Sequence, residues 1–253
     1  MRLKHAITVA VAALAVGAVA SPASAAPAEW KPSPADFANC PAIPQGAGAW
    51  AWNCISIVVT GGQLKMGSIT QNITEPMTIP VAVGWHENKV TMISQSGGFS
   101  GSWIDIPKES APLGIEGFQV QVRQAGPITP GKMLLPETLS LKLGLRSASL
   151  PALLAPGCSL GTDAAPITVN AGLSGLKLGL KNWTPVITAK LADDAFVVPK
   201  ATDCGLLTGT INSLMKLPSP SGANTMALDA SIRINNYAFG DQTTLFATQN
   251  TIK

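Results

Sequence analysis

The chain has 253 residues, only 12% of them charged, with 17 basic and 14 acidic side chains. A net charge of +3 spread over this length forms no basic stripe for a phosphate backbone, which excludes nucleic-acid binding. Glycine and proline are frequent, at 24 and 20 residues, and such a composition favours short strands joined by turns. The sequence therefore predicts an all-β protein with little helix.

The first 25 residues have the pattern of a secretory signal peptide. Arg2 and Lys4 form a basic start, residues 6–20 are an uncharged apolar run, and small residues lead to a cleavage site after Ala25. The alternative is a transmembrane anchor, but the run is short for a bilayer. We predict a protein that is secreted, either extracellular or attached to the cell envelope, without a membrane anchor. Cleavage removes two cations and lowers the net charge to about +1.

The mature chain divides by composition. Residues 26–39 contain several prolines and predict an extended lead-in that is not packed. Residues 40–253 predict a single β domain. Two halves of this domain would meet near residues 126–136, where prolines and glycines interrupt the strand pattern.

Four cysteines remain after cleavage, and an even number in an exported chain indicates two disulfides with three possible connectivities. Pairing between sequence neighbours is the prediction, which joins Cys40 to Cys54 and Cys158 to Cys204. The alternative, a metal site, lacks ligand pairs at zinc spacing and lacks histidines. We therefore expect no metal and no cofactor.

Two tryptophans, Trp50 and Trp52, lie inside the short loop between Cys40 and Cys54. In an extended loop this spacing would point both indoles to one side and form a flat platform for a glycan or a lipid surface. The alternative, which we favour, is that they cap one end of the fold beneath the disulfide.

The first half of the domain is predicted to form consecutive strands. Residues 55–60 and 63–69 flank Gly61-Gly62, a pattern typical of a two-residue hairpin turn. Phe118, Val120 and Val122 alternate with polar residues and predict a half-buried strand. Further strands are predicted at residues 77–83, 89–94 and 101–106.

The second half opens with alternating leucines, and residues 141–146 closely match residues 176–181. The match is either a duplicated strand unit or the ordinary appearance of two half-buried strands, and the second interpretation is favoured because repeat folds need at least three copies. The pattern as a whole predicts an antiparallel β-sandwich or a barrel-like sandwich. Remaining strands are predicted at residues 185–191, 195–198, 227–234 and 243–248, with a short helix at 208–216.

Catalytic groups are scarce in the mature chain. A serine triad would have to use His86, the one histidine left after cleavage, with a serine such as Ser68 or Ser100. The sequence around Ser100 fails the nucleophile-elbow pattern because Ser102 replaces a glycine. We predict that His86 lies in a surface turn and that the protein is not an enzyme. The acids considered for glycoside hydrolysis are predicted to be solvated turn residues: Glu109, Glu116, Asp193 and Asp194.

Six segments of the mature chain carry a resemblance to known sequences: residues 36–41, 44–47, 59–68, 157–163, 203–207 and 217–225. Together they resemble an uncharacterised family of exported actinobacterial proteins. The resemblance implies secretion and a shared cysteine framework, and it supplies no catalytic residue. Residues 85–155 do not align with the family.

Low charge and missing catalytic groups favour a non-enzymatic binding or structural protein of the extracellular space or cell envelope, with an envelope glycan or lipid as partner. The alternative is a carrier for a lipid-like ligand, in which the leucines of residues 139–145 and 176–180 would line an internal cavity. A secreted hydrolase is the third hypothesis.

Overall fold

The computed structural model describes residues 29–95, 98–109, 111–114, 116–131, 136–170 and 172–238. The predicted leader, its cleavage site and the strand predicted at residues 243–248 lie outside the described residues. The elements in chain order are β1 (Trp52–Met66), β2 (Ile69–Asn72), β3 (Met77–His86), β4 (Lys89–Ser94), β5 (Ile104–Asp105), β6 (Phe118–Gln124), β7 (Thr129–Pro130), β8 (Pro136–Ser147), β9 (Ser159–Leu160), β10 (Ile167–Asn170), β11 (Leu173–Lys181), β12 (Thr184–Asp193), β13 (Ala201–Thr202), α1 (Thr208–Leu214) and β14 (Thr225–Asn236).

Two antiparallel sheets form the fold, as the sequence predicts. The first sheet has the order β11-β12-β14-β1-β3-β4, with β2 paired to the C-terminal part of β1. The second has the order β13-β9-β8-β6-β5, with β7 and β10 also paired to β8. Both halves of the chain contribute strands to both sheets.

The hydrophobic core lies between the two sheets because each strand turns alternate apolar side chains inward. Ile57 and Ile232 of the first sheet belong to the same buried cluster as Phe118 and Leu143 of the second. The alternation predicted for β6 is confirmed, since Phe118, Val120 and Val122 are all buried. Helix α1 is confirmed within residues 208–216.

Both predicted disulfides are confirmed. Cys40–Cys54 ties the lead-in to β1, with a Cα–Cα distance of 5.9 Å. Cys158–Cys204 lies beside the paired strands β9 and β13, with a Cα–Cα distance of 4.2 Å. The four cysteines are thereby all used, and the bridges indicate an oxidising compartment.

The hairpin predicted at Gly61-Gly62 is wrong, because β1 continues through both glycines. The pairing of β1 with β14 shifts register between Val59 and Gly61, which marks a β-bulge. Gly62 has a φ of +115°, and a Cβ there would lie 2.3 Å from the carbonyl oxygen of Ala227. The glycines thus allow a close strand approach, and the chain reverses later, at Gly67 between β1 and β2.

Residues 29–39 also differ from the predicted extended lead-in. A short 3₁₀ helix at Pro34–Phe37 lies against the outer face of the first sheet, and the side chains of Trp30 and Phe37 are buried. Arg233 of β14 fixes this segment with an Nη1–Oδ2 distance of 2.8 Å to Asp36. Apolar burial and a largely buried ion pair therefore hold the segment on the sheet.

The remaining strand predictions are partly confirmed. β3, β4, β8, β12 and β14 all occur where strands were predicted. The strand predicted at residues 101–106 is reduced to β5. In residues 195–198 there is only an isolated bridge from Val198 to Ser219.

The two similar leucine segments occupy opposite environments. In β8, Leu139, Leu143 and Leu145 are buried between the sheets. In β11, by contrast, Leu178 and Leu180 are exposed, because β11 is an edge strand that the second sheet does not cover. The prediction that both segments are half-buried strands is therefore wrong for residues 176–181.

Candidate functional site

Several strand ends meet at one end of the first sheet. Ile187 near the start of β12 pairs with Ile232, and Asn235 near the end of β14 pairs with Cys54 of β1. Cys54 in turn pairs with Ala82, close to the end of β3. These strand ends and the short segments that flank them carry three exposed tryptophans. We call Trp50, Trp85 and Trp183, with Leu178 and Leu180 of β11, the tryptophan end.

Trp183 is at the tip of the hairpin between β11 and β12. Lys181 pairs with Thr184, so the turn consists of Asn182 and Trp183, with φ values of +49° and +62°. This type I′ geometry favours Asn and Gly, and a bulky residue there is strained. The Trp183 side chain is 93% exposed, so no packing in the described structure compensates for the strain. A strained, solvated tryptophan is typical of a functional position.

The side chains of Trp50 and Trp52 are not aligned as the less favoured interpretation, a flat platform, would require. Residues 49–51 form a short 3₁₀ helix, so the extended alternation that would align the two indoles is absent there. Trp52 is fully buried against Gly84, where a Cβ would lie 2.3 Å from the Trp52 ring. Trp50 is 75% exposed. Trp52 packs in one buried cluster with Cys40 and Cys54, an arrangement consistent with the favoured interpretation of a cap, and Trp50 remains at the surface.

Trp85 and the leucines of β11 extend the exposed apolar surface. Trp85 is more than half exposed, and Leu178 and Leu180 are 79% and 67% exposed. Leu178 pairs with Ile187, which pairs with the buried Ile232, so these leucines continue the core face of the first sheet beyond its cover.

The opposite face of β11 is basic. Lys177 and Lys181 alternate with the leucines, and the Nζ of Lys181 lies 5.4 Å from the ring centre of Trp30 on the outer face of the sheet. The β11–β12 hairpin also contains Lys190 and has no acid before Asp193. The hairpin thus combines an apolar face, a basic face and an aromatic tip.

Sequence reasoning missed Trp183. The available signal was the Asn182-Trp183 pair between two alternating segments, since a two-residue link of this kind predicts a tight hairpin turn. Recognition of that turn would have placed a tryptophan at its solvated tip.

His86 does not meet the serines considered for a triad. Its Nε2 lies 3.8 Å from Oε1 of Glu87. His86 is the last residue of β3 and does not lie in the predicted turn, which begins only at Glu87. Ser68 follows the opposite end of β1 and donates a hydrogen bond from Oγ to the carbonyl of Leu214 at 2.8 Å. Ser100 forms an isolated bridge with Arg123, beside the second sheet.

Two of the four acids considered for glycoside hydrolysis, Asp193 and Glu116, have structural partners. Asp193 is buried and accepts hydrogen bonds from the backbone N–H groups of Asn170 and Ala195, so the prediction of a solvated turn acid is wrong for it. Glu116 forms an exposed ion pair with Lys108, whose hydrogen bond and charge lower the pKa of the Glu116 carboxyl. Among the described residues, no group of three His, Cys, Asp or Glu side chains could hold a metal ion.

The cavity between the two sheets offers little room for a ligand. A cavity of about 50 Å³ lies between the sheets, and Leu139, Leu141 and Leu143 are among its apolar lining residues. Pockets that bind small molecules usually measure ~300–1,000 Å³. The exposed leucines of β11 do not line this cavity, so the structure gives the carrier hypothesis no support.

Comparison with protein-family models, with curated proteins and with solved structures gave no match. Within the described residues, no helix combines the length and the apolar character needed to cross a membrane.

Proposed function

We propose that this is a secreted, non-enzymatic binding protein of the cell envelope that docks on an anionic lipid surface through the tryptophan end. The observation that carries the proposal is the β11–β12 hairpin, in which exposed Leu178 and Leu180 lead to the strained, solvated Trp183. Secretion is supported by the predicted leader and by two disulfides, which belong to an oxidising compartment.

The chemistry of the hairpin favours a lipid surface as the partner. Tryptophan prefers the boundary between headgroups and acyl chains, because its ring is apolar and its N–H can remain hydrated. Burial of a leucine side chain contributes about 1.5–3 kcal/mol. A lysine near an anionic membrane adds about 1 kcal/mol, and Lys177 and Lys181 are on the same hairpin. Together these groups favour reversible peripheral binding.

The test is sedimentation of the mature protein with vesicles of equal parts phosphatidylglycerol and phosphatidylcholine. We expect binding that weakens with salt and that is much weaker on vesicles of phosphatidylcholine alone. The Trp183→Ala variant and the Leu178→Ser/Leu180→Ser double variant should each reduce the partition coefficient about tenfold or more, since 1.4 kcal/mol corresponds to a factor of ten.

The matched control is Leu206→Ser. Leu206 is fully exposed, but it lies in a short 3₁₀ helix next to α1 and away from the tryptophan end. This variant should bind vesicles as the unmodified protein does. Absence of binding to the anionic vesicles at low salt would exclude the proposal. An equal reduction of the partition coefficient in Leu206→Ser and in the Leu178→Ser/Leu180→Ser double variant would also exclude it.

A further inference from the structure

A groove lies on the outer face of the second sheet, away from the tryptophan end. Its floor is formed by outward side chains of the paired strands β6 and β8. Arg123 of β6 pairs with Lys142 of β8, and Gln121 pairs with Gly144. Cations from two neighbouring strands are thereby brought together on a face that the first sheet does not cover.

Trp103, which precedes β5, lies across this face. The guanidinium carbon of Arg146 is 4.2 Å from the centre of its ring, and that of Arg123 is 5.7 Å away. Gly144 makes room for the indole, because a Cβ at this position would lie 3.3 Å from Cη2 of Trp103. The glycine in the middle of β8 thus has a specific role, the close approach of an aromatic ring.

Both arginines are held in place by glutamines. Nε of Arg123 donates to Gln121 and Nε of Arg146 donates to Gln119, each at 2.7 Å. Gln119 in turn donates to Asp105 at 2.9 Å. Within the described part of the chain, neither arginine forms an ion pair with a carboxylate. Two oriented guanidinium groups therefore keep their charge available beside one indole.

The groove has the dimensions of a ligand site. A hollow of about 300 Å³ is lined by Trp103, Arg123 and Lys142 and, on the opposing loops, by Asp163 and Asp203. Lys142 and Asp163 form an ion pair of 2.7 Å, and beyond it lies a second hollow of about 400 Å³ that the same two residues also line. The two hollows adjoin at this ion pair, and two adjacent polar hollows suit an extended ligand better than a single small molecule.

We infer that this groove binds an acidic saccharide, a chain of sugar rings that carry carboxylates. A carboxylate can accept paired hydrogen bonds from a guanidinium, which is why arginine recognises this group well. The apolar face of a sugar ring can lie against an indole. Carboxylates such as Asp163 and Asp203 accept hydrogen bonds from sugar hydroxyls. This inference is independent of lipid docking, since the two sites use different sheets.

The experiment is affinity electrophoresis and titration calorimetry of the mature protein with polygalacturonate. Its fully methyl-esterified form, which has the same sugar chain without the charge, is the comparison ligand. We expect retardation by polygalacturonate and at least tenfold weaker binding to the ester. Arg123→Gln and Trp103→Ala should each weaken the binding of polygalacturonate about tenfold, and Gly144→Val should do the same by displacing the indole.

Lys65→Gln is the matched control, because Lys65 is an exposed cation of β1 in the other sheet. This variant should bind polygalacturonate as the unmodified protein does. Unfolding curves will verify that each variant is folded. Equal binding of the acid and the ester, unchanged binding in Arg123→Gln, or no binding of either polymer would overturn the inference. Vesicle binding separates the two proposals, since Trp103→Ala should retain it and Trp183→Ala should retain polygalacturonate binding.

Discussion

Trp183 pairs an unfavourable backbone conformation with an exposed side chain, and the two can be separated by substitution. Glycine adopts positive φ without steric cost, and Asn-Gly is the preferred pair in a type I′ turn. Trp183→Gly should therefore increase the free energy of unfolding by about 1 kcal/mol, which raises the melting temperature by about 2–4 °C in a protein of this size. The same change should weaken vesicle binding, because it removes the indole.

Trp183→Ala completes this test. Alanine removes the indole but keeps the unfavourable φ, so vesicle binding should fall as in the glycine variant while the melting temperature stays near that of the unmodified protein. A glycine variant with a lower melting temperature would show that Trp183 serves folding, and undiminished vesicle binding in either variant would exclude its role in docking.

Tyr237 provides a pH-dependent prediction. It is the one tyrosine of the chain, it is buried, and its hydroxyl donates a hydrogen bond to the carbonyl of Pro41 at 2.6 Å. Burial raises the pKa of Tyr237 well above its usual value near 10. The pKa of this phenol is higher in the folded than in the unfolded protein, so its contribution to the free energy of unfolding is fully present below pH 10. As the pH rises above 10, the free energy of unfolding falls by about 1.4 kcal/mol per pH unit.

Ultraviolet absorbance measures this directly, since no other tyrosine contributes a phenolate signal. The native protein should show little phenolate at pH 11, and the signal should appear together with unfolding. The free energy of unfolding of Tyr237→Phe should be about 1 kcal/mol lower at neutral pH, because a hydrogen bond is missing, and should decline less steeply above pH 10. A normal titration midpoint near pH 10 in the folded protein would contradict the prediction.

At the scale of elements, periodicity predicted most strands but not whether a strand is central or at the edge of its sheet. In β6 the alternation predicted both the strand and its burial, because one face of this strand is buried and the other faces solvent. The same alternation in β8 and β11 gave no hint that one strand is central and the other an edge, since that depends on strands distant in sequence. The hairpin predicted at Gly61-Gly62 was wrong because glycines with positive φ occur in a β-bulge as well as in a turn.

The bulge in β1 distinguishes its two glycines. Gly62→Ala should lower the free energy of unfolding by about 2 kcal/mol or more, because φ is +115° and the new Cβ would meet the Ala227 carbonyl at 2.3 Å. Gly61→Ala is the matched control. No atom lies within 4 Å of the position that its Cβ would take, so its effect should be below about 1 kcal/mol. Urea unfolding of both variants measures the difference, and equal losses would argue for the turn and against the bulge.

At the scale of the whole molecule, the cysteine spacing predicted both covalent links, whereas the binding surfaces depend on tertiary structure. Trp50 was identified from its place in the first disulfide loop, but Trp85 and Trp183 join it only when β3 and β12 enter the same sheet. In the same way Trp103, Arg123 and Arg146 meet because β6 and β8 pair. No local sequence pattern connects residues so far apart.

The two disulfides should have separable effects on these surfaces. Cys40–Cys54 closes a loop of 14 residues and Cys158–Cys204 one of 46, so loop closure predicts losses of about 3 and about 4 kcal/mol when each pair is replaced by alanine. Trp50 lies in the first loop, and Cys158 itself lines the groove. The Cys40/Cys54 variant should therefore bind vesicles more weakly and keep polygalacturonate binding, and the Cys158/Cys204 variant should do the reverse. Urea unfolding gives the stabilities, and parallel losses of both activities in both variants would show that the bridges act only through global stability.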